Sequence, residues 1–156
     1  MFVGQYDYTL DNKKRLVIPA KFRISLSDIM SLDTPNLFVT LKNVEHQNIS
    51  AKFLEIYQPD VWEKNLEWLG ELAKTSQEAK WYLRKVTSDT ELCKLDPQLR
   101  ILVPSRLINS AELKRNIMII GSGTYIEVWD LEKWNTVSAW LNNQAPQLEK
   151  YIYKQQ

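Results

Sequence analysis

The chain has 156 residues, of which 25% are charged, and its formal net charge is +1 at pH 7. A chain of this length fits one domain, or two small halves that share a core. It can bury enough surface to fold without a disulfide or metal. The chain has a single cysteine, its first segment is unlike a signal peptide, and it has no apolar run of ~18 residues. These features argue against a secreted or membrane-spanning protein and favour the cytoplasm.

The first half of the chain predicts short strands around one polar turn. Residues 2–10 alternate between two sides, which is the period of a half-buried strand. The polar residues 11–14 are predicted to form a turn, and residues 16–18 are predicted to form an apolar strand. Pro19 then suits the first position of a short helix.

Two more strands and two helices complete the first half and its connection to the second. The strands are predicted at residues 37–40 and 53–57, with a polar loop at residues 42–52 between them. Apolar side chains then recur at helical spacing and predict an amphipathic helix: Trp62, Leu66, Leu69 and Ala73. Residues 75–78 read Thr-Ser-Gln-Glu, a capping-box pattern that opens a second helix linking the halves.

The second half repeats a ten-residue unit of the first. Residues 10–19 and 95–104 both read Leu-Asp, three variable residues, Arg, three apolar residues and Pro. An internal repeat of a strand–turn–strand unit indicates a pseudo-symmetric fold. The strands predicted around the second copy lie at residues 92–95, 101–103, 116–120 and 125–129. This repeat divides the chain into a first half at 1–74, a linking helix at 75–90, a second half at 91–143 and a C-terminal tail at 144–156.

The first copy of the motif lies in a basic stretch. Asn12 is followed by Lys13, Lys14 and Arg15, and the acid in this turn is Asp11. Lysine neutralises phosphate and arginine holds a guanine edge with two parallel hydrogen bonds, so this pattern favours contact with nucleic acid. The alternative is that Asp11 pairs with Arg15 across the turn and that the lysines are only solvated. Because the whole chain is nearly neutral, affinity must come from this local patch or from several copies of it.

The second copy of the motif is weaker as a DNA-contacting element. Its turn carries no charged residue between Asp96 and Arg100. We therefore expect Arg100 mainly to pair with Asp96 and to contribute less to DNA contact. Substitutions in the first turn should then weaken binding more than substitutions in the second.

No pattern in the sequence indicates catalysis or a cofactor. His46 and Cys93 lie far apart without partners at metal-ligand spacing, and residues 121–124 lack the lysine and the helix of a phosphate-binding loop. We expect no enzyme activity, no cofactor or metal and no small-molecule substrate. Most tryptophans are predicted to pack in the core or at a subunit interface, and Trp68 and Trp140, which fit the apolar face of their helices least well, are candidates for a subunit contact.

The doubled motif resembles a known family. The paired Asp-x-x-x-Arg turns, each followed by an apolar strand and Pro, are similar to those of the MraZ family, a member of the AbrB/SpoVT-like group of transcription factors. So are the Tyr-x-x-Thr-Leu-Asp approach to the first turn and residues 126–130, Ile-Glu-Val-Trp-Asp. The resemblance covers residues 1 to about 141.

The resemblance implies a mixed α+β fold, in which two AbrB-like, pseudo-symmetric swapped-hairpin halves form a small β-barrel flanked by helices. It implies a homo-oligomer, ring-shaped in the family. It also implies binding of double-stranded DNA at short promoter repeats of a bacterial division and cell-wall gene cluster, usually as a repressor, and hence a nucleoid-associated protein. Two alternatives stay open, namely an oligomeric scaffold on the same fold that does not bind DNA, and an RNA-binding barrel.

The resemblance also assigns roles to residues of the two turns. Asp11 and Asp96 would shape the turns, and the DNA-contacting residues would be Asn12, Lys13, Lys14, Arg15 and Arg100. The family commonly has Gly directly before the motif Arg, where this chain has Lys14 and Leu99. If the turn needs a left-handed backbone there, each non-Gly residue costs ~1–2 kcal/mol. Otherwise the turn is shifted, with Asn12 in the unusual conformation.

Overall fold

A computed structural model describes residues 1–155. A short 3₁₀ helix at Ala20–Phe22 follows β2. The strands and α-helices of the described chain are, in order, β1 (Gln5–Thr9), β2 (Arg15–Val17), α1 (Ser27–Met30), β3 (Asn36–His46), β4 (Ile49–Tyr57), α2 (Pro59–Ala73), α3 (Gln77–Ser88), β5 (Thr90–Lys94), β6 (Arg100–Leu102), α4 (Ser105–Ser110), β7 (Asn116–Gly121), β8 (Ile126–Asp130) and α5 (Leu131–Lys154).

Six strands form one antiparallel sheet in the order β1-β7-β8-β4-β3-β5. The first strand of each half pairs with a strand of the other half, because β1 pairs with β7 and β5 pairs with β3. The central strands β4 and β8 join the halves, with Glu55 directly opposite Glu127. This order reads the same from both edges, so the two halves are related by a pseudo-twofold axis through the central pair. The mixed α+β class and the swapped-hairpin halves are confirmed.

The two motif strands leave the sheet and pair with each other. β2 and β6 form a two-stranded antiparallel ribbon in which Leu16 lies opposite Ile101. The ribbon is extended at both ends, since Ile18 N donates to Leu99 O at 2.7 Å and Val103 N donates to Lys14 O at 3.4 Å. Each end of the ribbon therefore lies beside the turn that precedes the other strand.

The hydrophobic core lies between the sheet and this ribbon. The sheet is not closed, and the small barrel consists of the open sheet with the ribbon across its inner face. Alternate residues of the strands point inward, as the period of two requires. The core side chains include Leu16, Leu37, Val39, Leu54, Ile56, Ile101, Ile117, Ile119, Ile126 and Val128.

The helices cover the outer face of the sheet. Trp62 of α2 stacks on Phe38 with ring centroids 5.5 Å apart. At the other end of β4, Val137 of α5 packs on Ile49 and Ala51 in a second hydrophobic cluster. The ribbon and these helices are thus on opposite sides of the sheet. Within residues 1–155, none of the helices combines the length and the apolar character that a bilayer crossing requires.

The prediction of a polar loop at residues 42–52 is wrong. β3 continues to His46 and β4 begins at Ile49, so that a tight turn joins two long strands. Val44 lies opposite Ala51, and both pack in the cluster beneath α5, which supplies the burial that this mostly polar stretch needs to remain extended. Trp140 also packs within its own chain, with its ring 5.4 Å from that of His46.

The pseudo-twofold axis places two carboxyl groups opposite each other. Glu55 Oε1 accepts a hydrogen bond from the Tyr57 hydroxyl at 2.8 Å and lies 3.9 Å from Lys42 Nζ. Glu127 Oε1 accepts from Trp129 Nε1 at 3.0 Å. Burial raises the pKa of both carboxyl groups, and the charge of Glu55 raises the pKa of Glu127 further. The folded state therefore disfavours ionisation of this pair.

Replacing Glu127 with glutamine should stabilise the protein at pH 7. A carboxyl group whose pKa is raised by folding stabilises the native state below its unfolded pKa, and this contribution is lost as pH rises through the folded pKa. Glu127→Gln removes the buried charge and keeps the oxygen that accepts from Trp129. We expect a higher Tm at pH 7, by roughly 2–4 °C for each kcal/mol relieved, and no gain below about pH 4.5 in thermal melts. An equal gain at both pH values would contradict the electrostatic explanation.

Candidate nucleic-acid interface

The carboxylate of Asp11 organises the first motif turn. Its Oδ1 accepts from the backbone N–H groups of Lys13 and Arg15, both at 2.9 Å, and its Oδ2 accepts from Arg15 Nε at 2.6 Å. The backbone closes the turn as well, since Lys14 N donates to Asp11 O at 3.0 Å. One side chain thus fixes both the path of the turn and the direction of the Arg15 side chain.

The second turn repeats this geometry. Asp96 Oδ1 accepts from the N–H groups of Gln98 at 2.9 Å and Arg100 at 2.8 Å, and Oδ2 accepts from Arg100 Nε at 2.8 Å. Leu99 N donates to Asp96 O at 3.0 Å. The spacing Asp-x-x-x-Arg is therefore a structural requirement of the turn, because a shorter or longer interval would misplace the guanidinium.

These contacts lower the pKa of both aspartates. The backbone N–H of Arg15, followed by its guanidinium, holds the pKa of Asp11 below its usual value. Burial raises the pKa of Asp96, but the backbone N–H and the guanidinium of Arg100 outweigh it and lower the pKa overall. Both carboxylates therefore stay charged at neutral pH and keep the arginines in place.

The left-handed backbone occurs at the positions where the family commonly has Gly. Lys14 has φ +61° and Leu99 has φ +60°. Asn12 is not among the positive-φ residues of the described chain, so the turn has not shifted. Each turn thus carries a strain of ~1–2 kcal/mol that glycine would avoid.

Lys14→Gly and Leu99→Gly should have opposite effects on stability. The Lys14 side chain is exposed, so glycine relieves the strain at the expense of ~0.5–1 kcal/mol of backbone entropy and should stabilise the fold by up to about 1 kcal/mol. Leu99 is buried, so Leu99→Gly also loses ~1.5–3 kcal/mol of side-chain burial and should destabilise. Denaturant unfolding of both variants measures the difference, and a shift of both in the same direction would argue against this account.

The outward face of the ribbon carries two arginines and two apolar residues. Arg15 lies opposite Leu102 and Val17 lies opposite Arg100, so the arginines are diagonal neighbours. Their side chains are 35% and 34% exposed. Each Nε is held by an aspartate, which leaves the Nη groups for a ligand. Arg100 Nη2 also donates to Gln98 Oε1 at 3.4 Å.

The two turns differ in charge. Lys13 and Lys14 are exposed, and neither forms an ion pair with another residue of the described chain. The second turn has Pro97, Gln98 and the buried Leu99 at the matching positions. The first turn is therefore the more cationic of the two.

Proximity in the sequence groups Arg23 with the basic residues of the first motif, but the structure places Arg23 at the second turn. Arg23 follows the first motif in the chain, yet its Nη2 donates to Pro97 O at 3.3 Å in the second turn. This placement follows from the pairing of β2 with β6, which brings Ile18 beside Leu99 and carries the following 3₁₀ helix to that end of the ribbon. The position of Arg23 at the second turn can be predicted only once the long-range pairing of β2 with β6 is known.

The comparisons with known proteins agree with this doubled architecture. The sequence model of the family described as "MraZ protein, putative antitoxin-like" matches twice, at residues 1–85 and 86–150. The chain belongs to the MraZ family. Each MraZ match contains one Asp-x-x-x-Arg turn, and the boundary between the matches falls within α3.

Several curated MraZ proteins align with most of the chain. Proteins named "Transcriptional regulator MraZ" from Oenococcus oeni and Leuconostoc citreum are each 35% identical over 139 residues, which is 89% of this chain and 87% of the relative. The MraZ protein of Halothermothrix orenii is 35% identical over 134 residues, 86% of this chain and 84% of the relative. The similarity to these relatives thus extends over most of both halves, and the two matches of the family model cover both motif turns.

Proposed function

We propose that the protein is a sequence-specific DNA-binding transcriptional regulator, a repressor of a bacterial division and cell-wall gene cluster that binds short promoter repeats as a homo-oligomer. The observation that carries the proposal is the exposed ribbon with two aspartate-held arginines and the unpaired Lys13 and Lys14 beside them. The names of the MraZ relatives support the regulatory role. The protein would act in the cytoplasm, on the nucleoid.

The chemistry of the ribbon suits the major groove of B-DNA. A two-stranded ribbon fits this groove, and a guanidinium that offers both Nη groups can donate to O6 and N7 of guanine. Because Arg15 Nε is engaged by Asp11, the side chain is held in one direction before DNA arrives. Lys13 and Lys14 would contact phosphates on either side of the base step and add affinity without sequence preference.

The pseudo-symmetry suggests how much DNA one ribbon reads. Diagonal neighbours of an antiparallel pair lie about 7–8 Å apart, which corresponds to roughly two base-pair steps at ~3.4 Å each. Arg15 and Arg100 would therefore address bases within one short site. Arg15 would bind more strongly, because Arg100 shares its Nη2 with Gln98 and lacks neighbouring lysines.

A homo-oligomer explains how a chain of net charge +1 binds DNA tightly. Each ribbon offers few contacts, but once one copy is bound the next binding event is intramolecular. Linked binding of this kind raises affinity by ~10²–10⁴ when the geometry permits. Repeated promoter sites would supply the matching DNA geometry, and occupation of the promoter would exclude RNA polymerase.

The proposal is tested by binding to a promoter fragment of the division cluster and to a scrambled fragment over a salt series. We expect selective, salt-sensitive binding that Arg15→Ala reduces more than the matched Arg100→Ala. Duplex RNA is the second control, because its deep, narrow major groove does not admit the ribbon. Equal binding to both DNA fragments, or none by a folded oligomer, would contradict the proposal and favour a scaffold. Preference for the RNA would favour an RNA-binding role.

A further inference from the structure

The outward face of the β2–β6 ribbon places an apolar side chain beside each arginine. Leu102 lies directly opposite Arg15, and Val17 lies directly opposite Arg100. Val17 and Leu102 occupy the same position in the two copies of the repeat, two residues after the motif arginine. Each arginine is therefore accompanied by the apolar residue of the other half.

Leu102 is the more exposed of these two apolar residues. It is 62% exposed, whereas Val17 is half-buried. The residues on either side, Ile101 and Val103, point into the core, and Leu102 belongs to neither hydrophobic cluster of the described chain. A single exposed leucine is ordinary on a protein surface, so its exposure alone indicates no function. The informative observation is its register opposite Arg15.

The surroundings of Leu102 fit DNA better than another protein surface. Arg15 lies across the strand pair, and Lys14 O accepts from the N–H of Val103, the next residue after Leu102. Leu102 thus lies at the end of the ribbon that carries the more cationic turn. An apolar protein partner that covered Leu102 would desolvate these cations without compensation, whereas DNA offers them phosphates and guanine acceptors.

The register also limits where Leu102 would reach on the DNA. Side chains directly opposite each other in an antiparallel pair have Cβ atoms about 4.5–5.5 Å apart. Base pairs follow each other at ~3.4 Å along B-DNA. With Arg15 on a guanine in the major groove, the side chain of Leu102 would therefore meet a base within about two base pairs of that guanine.

Thymine is the base that an apolar side chain distinguishes in the major groove. Its C5-methyl group is the apolar feature among the base edges of that groove, and apolar side-chain atoms contact it in direct readout. Guanine and adenine present hydrogen-bonding groups there, which would lose water against Leu102 without gaining a partner. A leucine at this position consequently favours thymine.

We propose that Leu102 is a specificity-determining residue that contacts the C5-methyl group of a thymine within two base pairs of the guanine bound by Arg15. This inference rests on the proposed function and adds a second base to what the Arg15 end of the ribbon reads. Val17, beside Arg100, is shorter and half-buried, so the equivalent contact at the other end of the ribbon is weaker.

The test removes the methyl group from the DNA and the leucine side chain from the protein. In one repeat of the promoter fragment, thymines are replaced one at a time by uracil, which lacks only the C5-methyl group. Binding of the full-length protein is followed by fluorescence anisotropy. We expect uracil at one position to weaken binding by about fourfold, which is the effect of burying one methyl group.

The variant Leu102→Ala assigns this effect to the proposed residue. It should bind the thymine fragment at least about fourfold more weakly per repeat, and it should bind thymine and uracil equally at the sensitive position. Leu102→Met, which keeps an apolar side chain, should retain the preference for thymine. The matched control is Leu72→Ala, because Leu72 is 42% exposed on α2, on the opposite side of the sheet. It should discriminate as the unmodified chain does.

Three results would overturn the methyl contact while leaving the proposed function intact. These are selective promoter binding that no uracil weakens, Leu102→Ala that binds as well as the unmodified chain, and Leu102→Ala that is weakened yet still distinguishes thymine from uracil. In the last case the leucine would only shield the Arg15 guanidinium from water. Equal binding to the promoter and scrambled fragments would instead contradict the proposed function itself.

Discussion

Replacing Lys13 and Lys14 together with alanine should lower the affinity for promoter DNA by about tenfold or more at low salt. Both lysines are exposed beside Arg15 and make no ion pair within the described chain, so their charges are available to phosphate. Each phosphate contact contributes about 0.9 to the salt dependence of binding, so the slope of log K against log salt should fall by about two per bound copy. Fluorescence anisotropy over a salt series measures both quantities.

A matched control distinguishes an effect of where these two charges lie from an effect of the total charge of the chain. Lys64→Ala with Lys80→Ala removes the same charge from α2 and α3, on the opposite side of the sheet from the ribbon. This pair should leave affinity and salt slope nearly unchanged. If both double variants weaken binding equally, the effect comes from net charge and the first turn is not the contact site. The scrambled fragment checks whether the lost affinity is independent of sequence, as phosphate contacts require.

Ile101→Ala should cause one of the two largest losses of stability among single substitutions in the ribbon. The side chain is fully buried and lies opposite Leu16 at the centre of the β2–β6 pair. Truncation of a buried Ile or Leu to Ala costs about 2–5 kcal/mol, since the cavity left behind collapses only in part. Because the two positions are related by the pseudo-twofold axis, Leu16→Ala should cost a similar amount. Urea unfolding followed by tryptophan fluorescence measures the free energy of unfolding.

The control for this experiment is Leu102→Ala on the outward face of the same strand. Leu102 is 62% exposed, so its truncation should change the free energy of unfolding by no more than about 0.5 kcal/mol. A large loss in Leu102→Ala, or a small one in Ile101→Ala, would mean that the ribbon is packed the other way round. DNA binding by Ile101→Ala should weaken as well, because the ribbon holds both arginines.

The local geometry of the turns can be predicted from the sequence. The interval from Asp11 to Arg15 recurs from Asp96 to Arg100, and a carboxylate four residues before an arginine can accept from both its backbone and its side chain. The pairing of Asp11 with Arg15, which the sequence offered as the alternative to DNA contact, is present. It leaves the Nη groups of Arg15 free, so pairing within the turn and contact with DNA are compatible. The stretch at residues 42–52 was misread because its polar composition masked the alternation that places Val44 and Ala51 beneath α5.

Sequence by itself determined the repeat, the two turns, the strands that follow them and the family, because each of these depends on residues close together in the chain. The tertiary structure alone decided that β2 pairs with β6 and β1 with β7, that Arg23 lies at the second turn, and that both arginines share one exposed face. These features depend on contacts between the halves. A swapped and an unswapped arrangement bury the same local patterns, and only the packing of both halves into one core selects between them.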